Sequence, residues 1–201
     1  MRGSGRENMF RFVRLLCLMC LLCLVCLVCL LIIYGQEPRY ISWLPSVPLY
    51  PSNIEDAYLV KSYTDKRTRY YTELFTLTDP SVSHAFLPYV KESLSTLNDL
   101  IMSPHILLIV YGTKYLCNRA RPIQVLPTID QLESKTADTP AYPSGHAFQA
   151  YYLARILSQR YPHLSNKFQR IAEDCALARV YAGLHYPSDN RFSKELVTLL
   201  F

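Results

Sequence analysis

The sequence contains few of the residues that β-hairpins require. It has only 6 glycines among 201 residues, and it has no Asn-Gly or Asp-Gly pair of the kind that forms two-residue hairpin turns. From Asn53 onward, apolar and aromatic residues recur instead at helical spacing. The sequence therefore predicts an all-α fold, a helix bundle of about six helices.

Positive charge is not gathered into any binding patch. The net charge at pH 7 is +5. Much of it comes from the first 14 residues, which contain four arginines and one acidic residue, Glu7. The rest of the chain has no basic run and no stripe of alternating aromatic and basic residues. We therefore expect no nucleic-acid partner.

Only one part of the chain contains a long apolar run. Every residue in the range 15–33 is Leu, Cys, Met, Val or Ile, and at about 1.5 Å per helical residue this run can cross the hydrocarbon core of a bilayer. It predicts one transmembrane helix that acts as a signal anchor and makes the membrane a partner. Because arginines precede the run, we expect a cytoplasmic N-terminus and the rest of the chain on the non-cytoplasmic side.

Cleavage of the same segment as a signal peptide is the alternative, and the domain would then be secreted. Hydrophobic regions of signal peptides usually span about 7–15 residues. The nearest cleavage candidate, Ile33-Tyr34-Gly35 before Gln36, also lacks small residues at both key positions. Both observations favour the uncleaved anchor.

Proline and capping residues divide the chain into segments. The predicted organisation is a basic flank (1–14), a transmembrane anchor (15–34), a proline-rich linker (35–52) and a helical domain (53–201). Within that domain, helices are expected over about 53–78, 81–99, 104–120, 144–161 and 165–182, with a short one after Pro187. Residues 122–143 contain four prolines and are expected to form a long loop.

Most of the seven cysteines lie in the apolar run. Those five occupy every third position, at Cys17, Cys20, Cys23, Cys26 and Cys29. Steps of three advance about 300° around a helix, so these side chains do not converge on one ion. We interpret them as small apolar membrane residues and predict no metal site. Cys117 and Cys175 remain as candidates for a disulfide.

Three short segments carry polar residues where helices begin or end. The first contains Lys114 and Arg121-Pro122. Seven positions make about two helical turns, so the two cations can lie on one face, and Pro122 disfavours helix at Arg121. Two converging cations suit an anion with several oxygens, although a solvated basic helix end has the same composition.

The second segment is Pro143-Ser144-Gly145-His146, which precedes an apolar helical pattern. The exposed backbone N–H groups of a helix N-terminus bind anions, and Gly145 lets a ligand approach the backbone closely. His146 would stand beside the anion and could donate a proton. The alternative is an ordinary serine cap followed by an incidental histidine.

The third segment contains Arg179, His185 and Asp189. A carboxylate near an imidazole fixes its tautomer and stabilises the cation that forms during reaction. Together the three segments supply cations, a helix N-terminus, two histidines and a carboxylate. Phosphoryl transfer needs this combination.

The three segments, in this order, resemble those of the type 2 phosphatidic acid phosphatase and vanadium haloperoxidase superfamily. The resemblance covers residues 114–189 and implies a helix-bundle fold. It implies that His185 is the nucleophile that becomes a phosphohistidine, that Asp189 orients it, and that His146 protonates the leaving group. It further implies a set of phosphate ligands: Lys114, Arg121, Ser144, Gly145 and Arg179.

The resemblance leaves three functions open. The favoured one is a phosphatase of the acid-phosphatase-like branch, which needs no metal or cofactor and acts on phosphorylated small molecules or on lipids such as phosphatidate. The second is a vanadium-dependent haloperoxidase, which would hold vanadate on His185. The third is a non-catalytic protein with an anion pocket, because Ala178 stands where the family usually has serine.

Overall fold

The computed structural model describes residues 19, 23–25, 27 and 51–201. The predicted basic flank, and all but five residues of the predicted anchor, lie outside the described residues, as does the linker before residue 51. Within the described range 51–201 the chain is all-helical and has no strand. The prediction of an all-α fold is therefore confirmed for this part of the chain.

Nine α-helices and two 3-10 turns make up the described domain, more than the six helices that the sequence predicts. The helices are α1 (Asn53–Thr64), α2 (Arg69–Thr78), α3 (Ser83–Phe86), α4 (Leu94–Ile101), α5 (Pro104–Cys117), α6 (Pro122–Val125), α7 (Gly145–Arg160), α8 (Ser165–Tyr181) and α9 (Pro187–Leu200). The 3-10 turns are Leu87–Tyr89 and Pro162–Leu164.

Two of the three extra helices arise because predicted long helices are broken, and the third, α6, lies at the start of the predicted loop over 122–143. The predicted helix over 53–78 is interrupted between α1 and α2, where Arg67 donates hydrogen bonds to the backbone oxygens of Tyr181, at 2.7 Å, and Asp130. The predicted helix over 81–99 is interrupted at Pro88, because a proline inside a helix removes a backbone donor. Ser93 then caps α4 by accepting a hydrogen bond from the Thr96 N–H.

The core lies around the antiparallel pair α7 and α8. α9 packs on α7, α2 packs on α8, and α1 packs on both α6 and α8. The largest cluster of buried apolar side chains joins α4, α5, α7, α8 and α9, and includes Ile101, Ile106, Phe148, Leu153 and Phe168. Because α7 and α8 are antiparallel, the first turn of α7 lies beside the last turn of α8.

Helices α4 and α5 form a bent apolar pair. Within the described part of the chain, no single helix is long and apolar enough to cross a membrane. One pair bent by 49°, Leu94–Ile101 with Pro104–Val125 (α5 and α6), meets the criteria of length and composition together. Several of its large apolar side chains are exposed, among them Leu108 and Leu116.

The two cysteines outside the predicted anchor are free thiols. Cys117 and Cys175 are both buried, and burial raises the pKa of the first to about 11 and of the second to about 12. The candidate disulfide between them is therefore wrong. Thiols with such raised pKa values are protonated at neutral pH and poorly nucleophilic.

Candidate active site

The predicted site residues meet at one end of the helix bundle. They lie at the C-terminus of α5, in the segment before α6, in the first turn of α7, in the last turn of α8 and at the start of α9. The eight residues are Lys114, Arg121, Ser144, Gly145, His146, Arg179, His185 and Asp189, and six of them are less than 5% exposed: Lys114, Arg121, Ser144, Arg179, His185 and Asp189.

His185 and Asp189 form the hydrogen-bonded pair that the family resemblance implies. His185 Nδ1 lies 3.1 Å from Asp189 Oδ2, and both side chains are buried. The backbone N–H of Tyr186 donates to the same carboxylate oxygen at 2.9 Å. Pro187 begins α9, and this places Asp189 in the first turn of α9, next to His185.

Arg121 determines which nitrogen of His185 carries the proton. Its Nη1 lies 2.9 Å from His185 Nε2 and 2.8 Å from the backbone oxygen of Leu184. An arginine can only donate, so Nε2 is the acceptor and the ring proton resides on Nδ1, facing Asp189. Nε2 is therefore the basic nitrogen of the pair, with a lone pair directed at the cations of the site.

The loop that carries His185 depends on a glycine. Gly183 has φ +77°, in the left-handed region. A Cβ at this position would lie 2.9 Å from Ile129 Cγ2 and 3.1 Å from Gln131 Cα. The turn between α8 and α9 therefore requires both the conformation and the small size of glycine.

We expect Gly183→Ala to lower the free energy of unfolding by about 1–3 kcal/mol, because it combines left-handed strain with a backbone clash. Gly112→Ala is the matched control, since a Cβ there meets nothing within 4 Å. In the interior of α5 it should leave stability unchanged or raise it by about 1 kcal/mol. Chemical unfolding of both variants measures the difference, and equal stabilities would contradict the packing argument.

Lys114 and Arg121 enter the site from two separate segments, whereas the sequence predicts that they can lie on one helix face. α5 ends at Cys117, and Asn118 adopts the left-handed conformation with φ 44°. The two cations therefore do not share a helix face, and that part of the prediction is wrong. Arg121 lies past the helix end in extended conformation, as Pro122 predicts. Lys114 points inward from the last turn of α5 and donates to the backbone oxygen of Pro140.

The first turn of α7 is built as the sequence predicts. Ser144 is the N-cap, and its hydroxyl accepts a hydrogen bond from the Ala147 N–H at 3.4 Å. A Cβ at Gly145 would make ordinary contacts, 3.5 Å from Val110 Cγ1 and 3.8 Å from Lys114 Cε. The protein itself therefore does not require glycine here, and any such requirement comes from a ligand that approaches the backbone.

An aspartate that the sequence analysis does not identify connects Arg179 and His146. Arg179 Nη1 donates to Asp79 Oδ1 at 2.6 Å, and His146 Nε2 donates to the backbone oxygen of Asp79 at 3.0 Å. Ser134 also donates to this carboxylate, at 2.6 Å. Burial alone would raise the pKa of Asp79, but the hydrogen bonds from Ser134 and Arg179 outweigh it and lower that pKa.

Burial, together with the nearby cations, keeps both histidines neutral. Burial first, and then Arg121, Lys114 and Arg179, hold the pKa of His185 well below its usual value. Burial and Arg179 lower the pKa of His146 to about 3. The site is therefore strongly electropositive and prepared for an anion.

Arg179 retains an unused donor. Its Nε is buried and has no hydrogen-bond partner within the described part of the chain. Buried donors are normally satisfied, so this N–H group is available to an acceptor that enters the site. Ala178, beside it, is fully buried among Phe75, Ala182 and Leu184, so its methyl group fits an apolar contact.

A cavity of about 290 Å³ opens beside the two histidines. Lys114, Gly145, His146 and His185 lie on its inner wall. The outer wall comes from α4 and α5 and is largely apolar, formed by Ile101, Met102, Leu107, Val110 and Tyr111. No cluster of three or more His, Cys, Asp or Glu side chains arranged to hold a metal ion occurs among the described residues.

Comparison with known proteins identifies the family. No curated protein matches the chain. Among solved structures, the chain is similar to the first transmembrane PAP2 type phosphatidylglycerolphosphate phosphatase from Bacillus subtilis, with a TM-score of 0.47, 20% sequence identity, and coverage of 73% of this chain and 81% of that one. The sequence model of the PAP2 superfamily matches residues 97–194, which include all eight predicted site residues. The resemblance that the motifs predict is therefore confirmed, and this part of the chain is identified as PAP2-type.

Proposed function

We propose that the protein is a phosphatase that hydrolyses phosphate monoesters, and that lipid phosphates are its substrate class. The observation that carries the proposal is the state of His185: Nδ1 donates to Asp189, and Nε2 accepts from Arg121 at 2.9 Å among three cations. A neutral histidine with a directed lone pair is a nucleophile, and the cations neutralise the equatorial oxygens of a phosphoryl group. The PAP2 match supports the same class.

The proposed reaction has two displacements. In the first, the lone pair of His185 Nε2 attacks phosphorus while the bond from phosphorus to the leaving oxygen breaks, and a protonated His146 gives its proton to that oxygen. In the second, water attacks the phosphohistidine and gives a proton to His146, and the bond from phosphorus to Nε2 breaks. Asp189 stabilises the positive charge on the ring between the two steps.

The free donors of the site suggest how phosphate is held. Arg179 Nε is without a partner in the described residues and can donate to a phosphate oxygen while Nη1 stays on Asp79. Lys114 and Arg121 now donate to backbone oxygens, which a charged phosphate oxygen can outcompete because charge-assisted hydrogen bonds are stronger. The N–H groups of the first turn of α7 complete the cradle.

The cavity beside His146 is the place for the leaving group. Because His146 must reach the leaving oxygen, the alcohol occupies the cavity whose outer wall is formed by Met102, Leu107 and Tyr111. An apolar wall favours an alcohol with an apolar body, such as the diacylglycerol of phosphatidate, over a small polar one. The predicted anchor would keep such a site close to its substrate.

One assay tests this function directly. The full chain in mixed vesicles is given phosphatidate or glycerol 3-phosphate, with and without EDTA, and phosphate release is measured. We expect release from both substrates, a higher kcat/KM for the lipid, and no loss of rate with EDTA. Folded protein that releases phosphate from neither substrate would overturn the proposal.

The apolar wall predicts a selective change in KM. Tyr111→Ser should raise KM for a short-chain phosphatidate, used below its critical micelle concentration, by roughly five- to tenfold because apolar contact area is lost. KM for glycerol 3-phosphate should change little. Leu108→Ser, on the same helix but 74% exposed and outside the cavity, is the matched control. Equal effects of the two variants on the lipid would argue against this placement of the leaving group.

A further inference from the structure

Arg119 is a buried cation that lies behind the catalytic pair. Its side chain is 1% exposed, and its Cζ lies 3.8 Å from the centre of the Tyr186 ring. Nη2 donates to Asp56 Oδ2 at 2.9 Å, and Nη1 donates to Asp189 Oδ1 at 2.7 Å. Asp56 belongs to α1, outside the residues 97–194 that match the family.

Asp189 is therefore held on both of its oxygens. Oδ1 accepts from Arg119, and Oδ2 accepts from His185 Nδ1 and from the Tyr186 N–H. A carboxylate whose two oxygens are both held by hydrogen bonds resists rotation away from the imidazole. Ser188 adds a bridge, because its hydroxyl accepts from Arg119 Nη1 at 2.7 Å and donates to Asp56.

Negative and positive charges alternate along this cluster. Two carboxylates, Asp56 and Asp189, share one guanidinium, so the three side chains carry a net charge of about −1 beside a histidine that becomes cationic during the reaction. Burial raises the pKa of Asp189, and Arg119 is the foremost group that opposes this rise. If Asp56 were neutral, Arg119 would cancel the charge of Asp189 and leave nothing to balance the phosphohistidine cation.

We propose that Asp56 is a positioning residue for catalysis, which acts through Arg119 on Asp189 and so on the orientation and charge stabilisation of His185. The inference rests on the proposed function and extends the working site from the family-matched region to α1. Asp56 contacts neither the cavity nor the histidines, so its effect reaches the reacting atoms through the guanidinium.

Asp56→Asn tests the inference because it removes one charge without changing the size of the side chain. We expect kcat to fall about tenfold or more, the range usual for loss of a residue that orients a group in direct contact with the reacting atoms. KM should change less than twofold. Glu92→Gln is the matched control: it also neutralises an ion-paired carboxylate, with Arg160 at 2.8 Å, but touches no site residue. It should keep the wild-type kcat.

A double-mutant cycle identifies the route of the effect. Arg119→Lys keeps the charge but cannot hold two carboxylates in one plane. If Asp56 acts through Arg119, Asp56→Asn should lower kcat little further in the Arg119→Lys background, so the two effects should be non-additive. Should Asp56→Asn fail to fold, Ser188→Ala is the substitute variant, because it removes only the hydroxyl that bridges Arg119 and Asp56. It should lower kcat by a smaller factor at unchanged KM.

Two results would overturn the inference. One is a wild-type kcat in folded Asp56→Asn, and the other is full additivity of Asp56→Asn and Arg119→Lys. Either result leaves the proposed function intact if the wild-type protein releases phosphate. An inactive wild-type protein, in contrast, removes the proposed function itself.

Discussion

Replacing His185 with alanine should reduce phosphate release by about 10⁵-fold or more, because loss of a nucleophile leaves only the contribution of binding. The variant should still bind inorganic phosphate, since Lys114, Arg121 and Arg179 remain in place. Arg121 Nη1 even gains a free donor when its acceptor, His185 Nε2, is removed. Turnover assays and phosphate titrations of the same preparation separate the two effects.

The covalent intermediate gives a second measurement for this variant. Phosphohistidine survives an alkaline quench, so wild-type protein mixed with radiolabelled substrate should retain label and His185→Ala should retain none. His163→Ala is the control, because His163 is an exposed histidine in the 3-10 turn before α8. Turnover by His185→Ala at the wild-type rate would exclude His185 as the nucleophile.

The site residues were predictable because each lies beside a local signal in the sequence. Pro187 begins α9 and Ser144 caps α7, so both helix ends could be placed without knowledge of the tertiary structure. The i, i+4 spacing of His185 and Asp189 became a real contact for the same reason. Function in this region depends on helix ends, and helix ends have sequence signatures.

Asp56, Asp79 and Arg119 were not predictable in the same way. Asp56 lies 63 positions from Arg119, and Asp79 lies 100 positions from Arg179, and no periodicity reports such contacts. Arg119 was concealed because the predicted third helix continued to about residue 120. Asn118 gave a usable signal, since asparagine adopts the left-handed conformation at helix ends more readily than most residues.

The two helix breaks also differ in whether a local signal in the sequence marks them. Pro88 is a local signal against a continuous helix over 81–99, and the pattern of apolar residues outweighed it wrongly. The break between α1 and α2 has no glycine or proline, and at this point Arg67 makes long-range contacts with the backbone oxygens of Tyr181 and Asp130. Local rules could therefore correct the first error but not the second.

His146 presents an apparent conflict between its proposed role and its charge. A general acid must be protonated, yet burial and Arg179 lower the pKa of His146 to about 3. A bound phosphate dianion places negative charge among these cations and raises that pKa again. The substrate would thus bring about the protonation of its own acid, and phosphate binding should take up a proton. Calorimetric titration in two buffers of different ionisation enthalpy measures this uptake.

His146→Asn should therefore affect substrates according to their leaving groups. For an alkyl phosphate, whose leaving oxygen needs a proton, we expect kcat to fall by about 10²–10⁴-fold, the usual contribution of general acid catalysis. For p-nitrophenyl phosphate, whose leaving group departs as a stable anion, the first step should be affected far less. Proton uptake on phosphate binding should also be lost, whereas His163→Ala should retain both properties. Equal losses of kcat/KM for the two esters, a ratio that reports the first displacement alone, would assign His146 to phosphate binding and not to proton transfer.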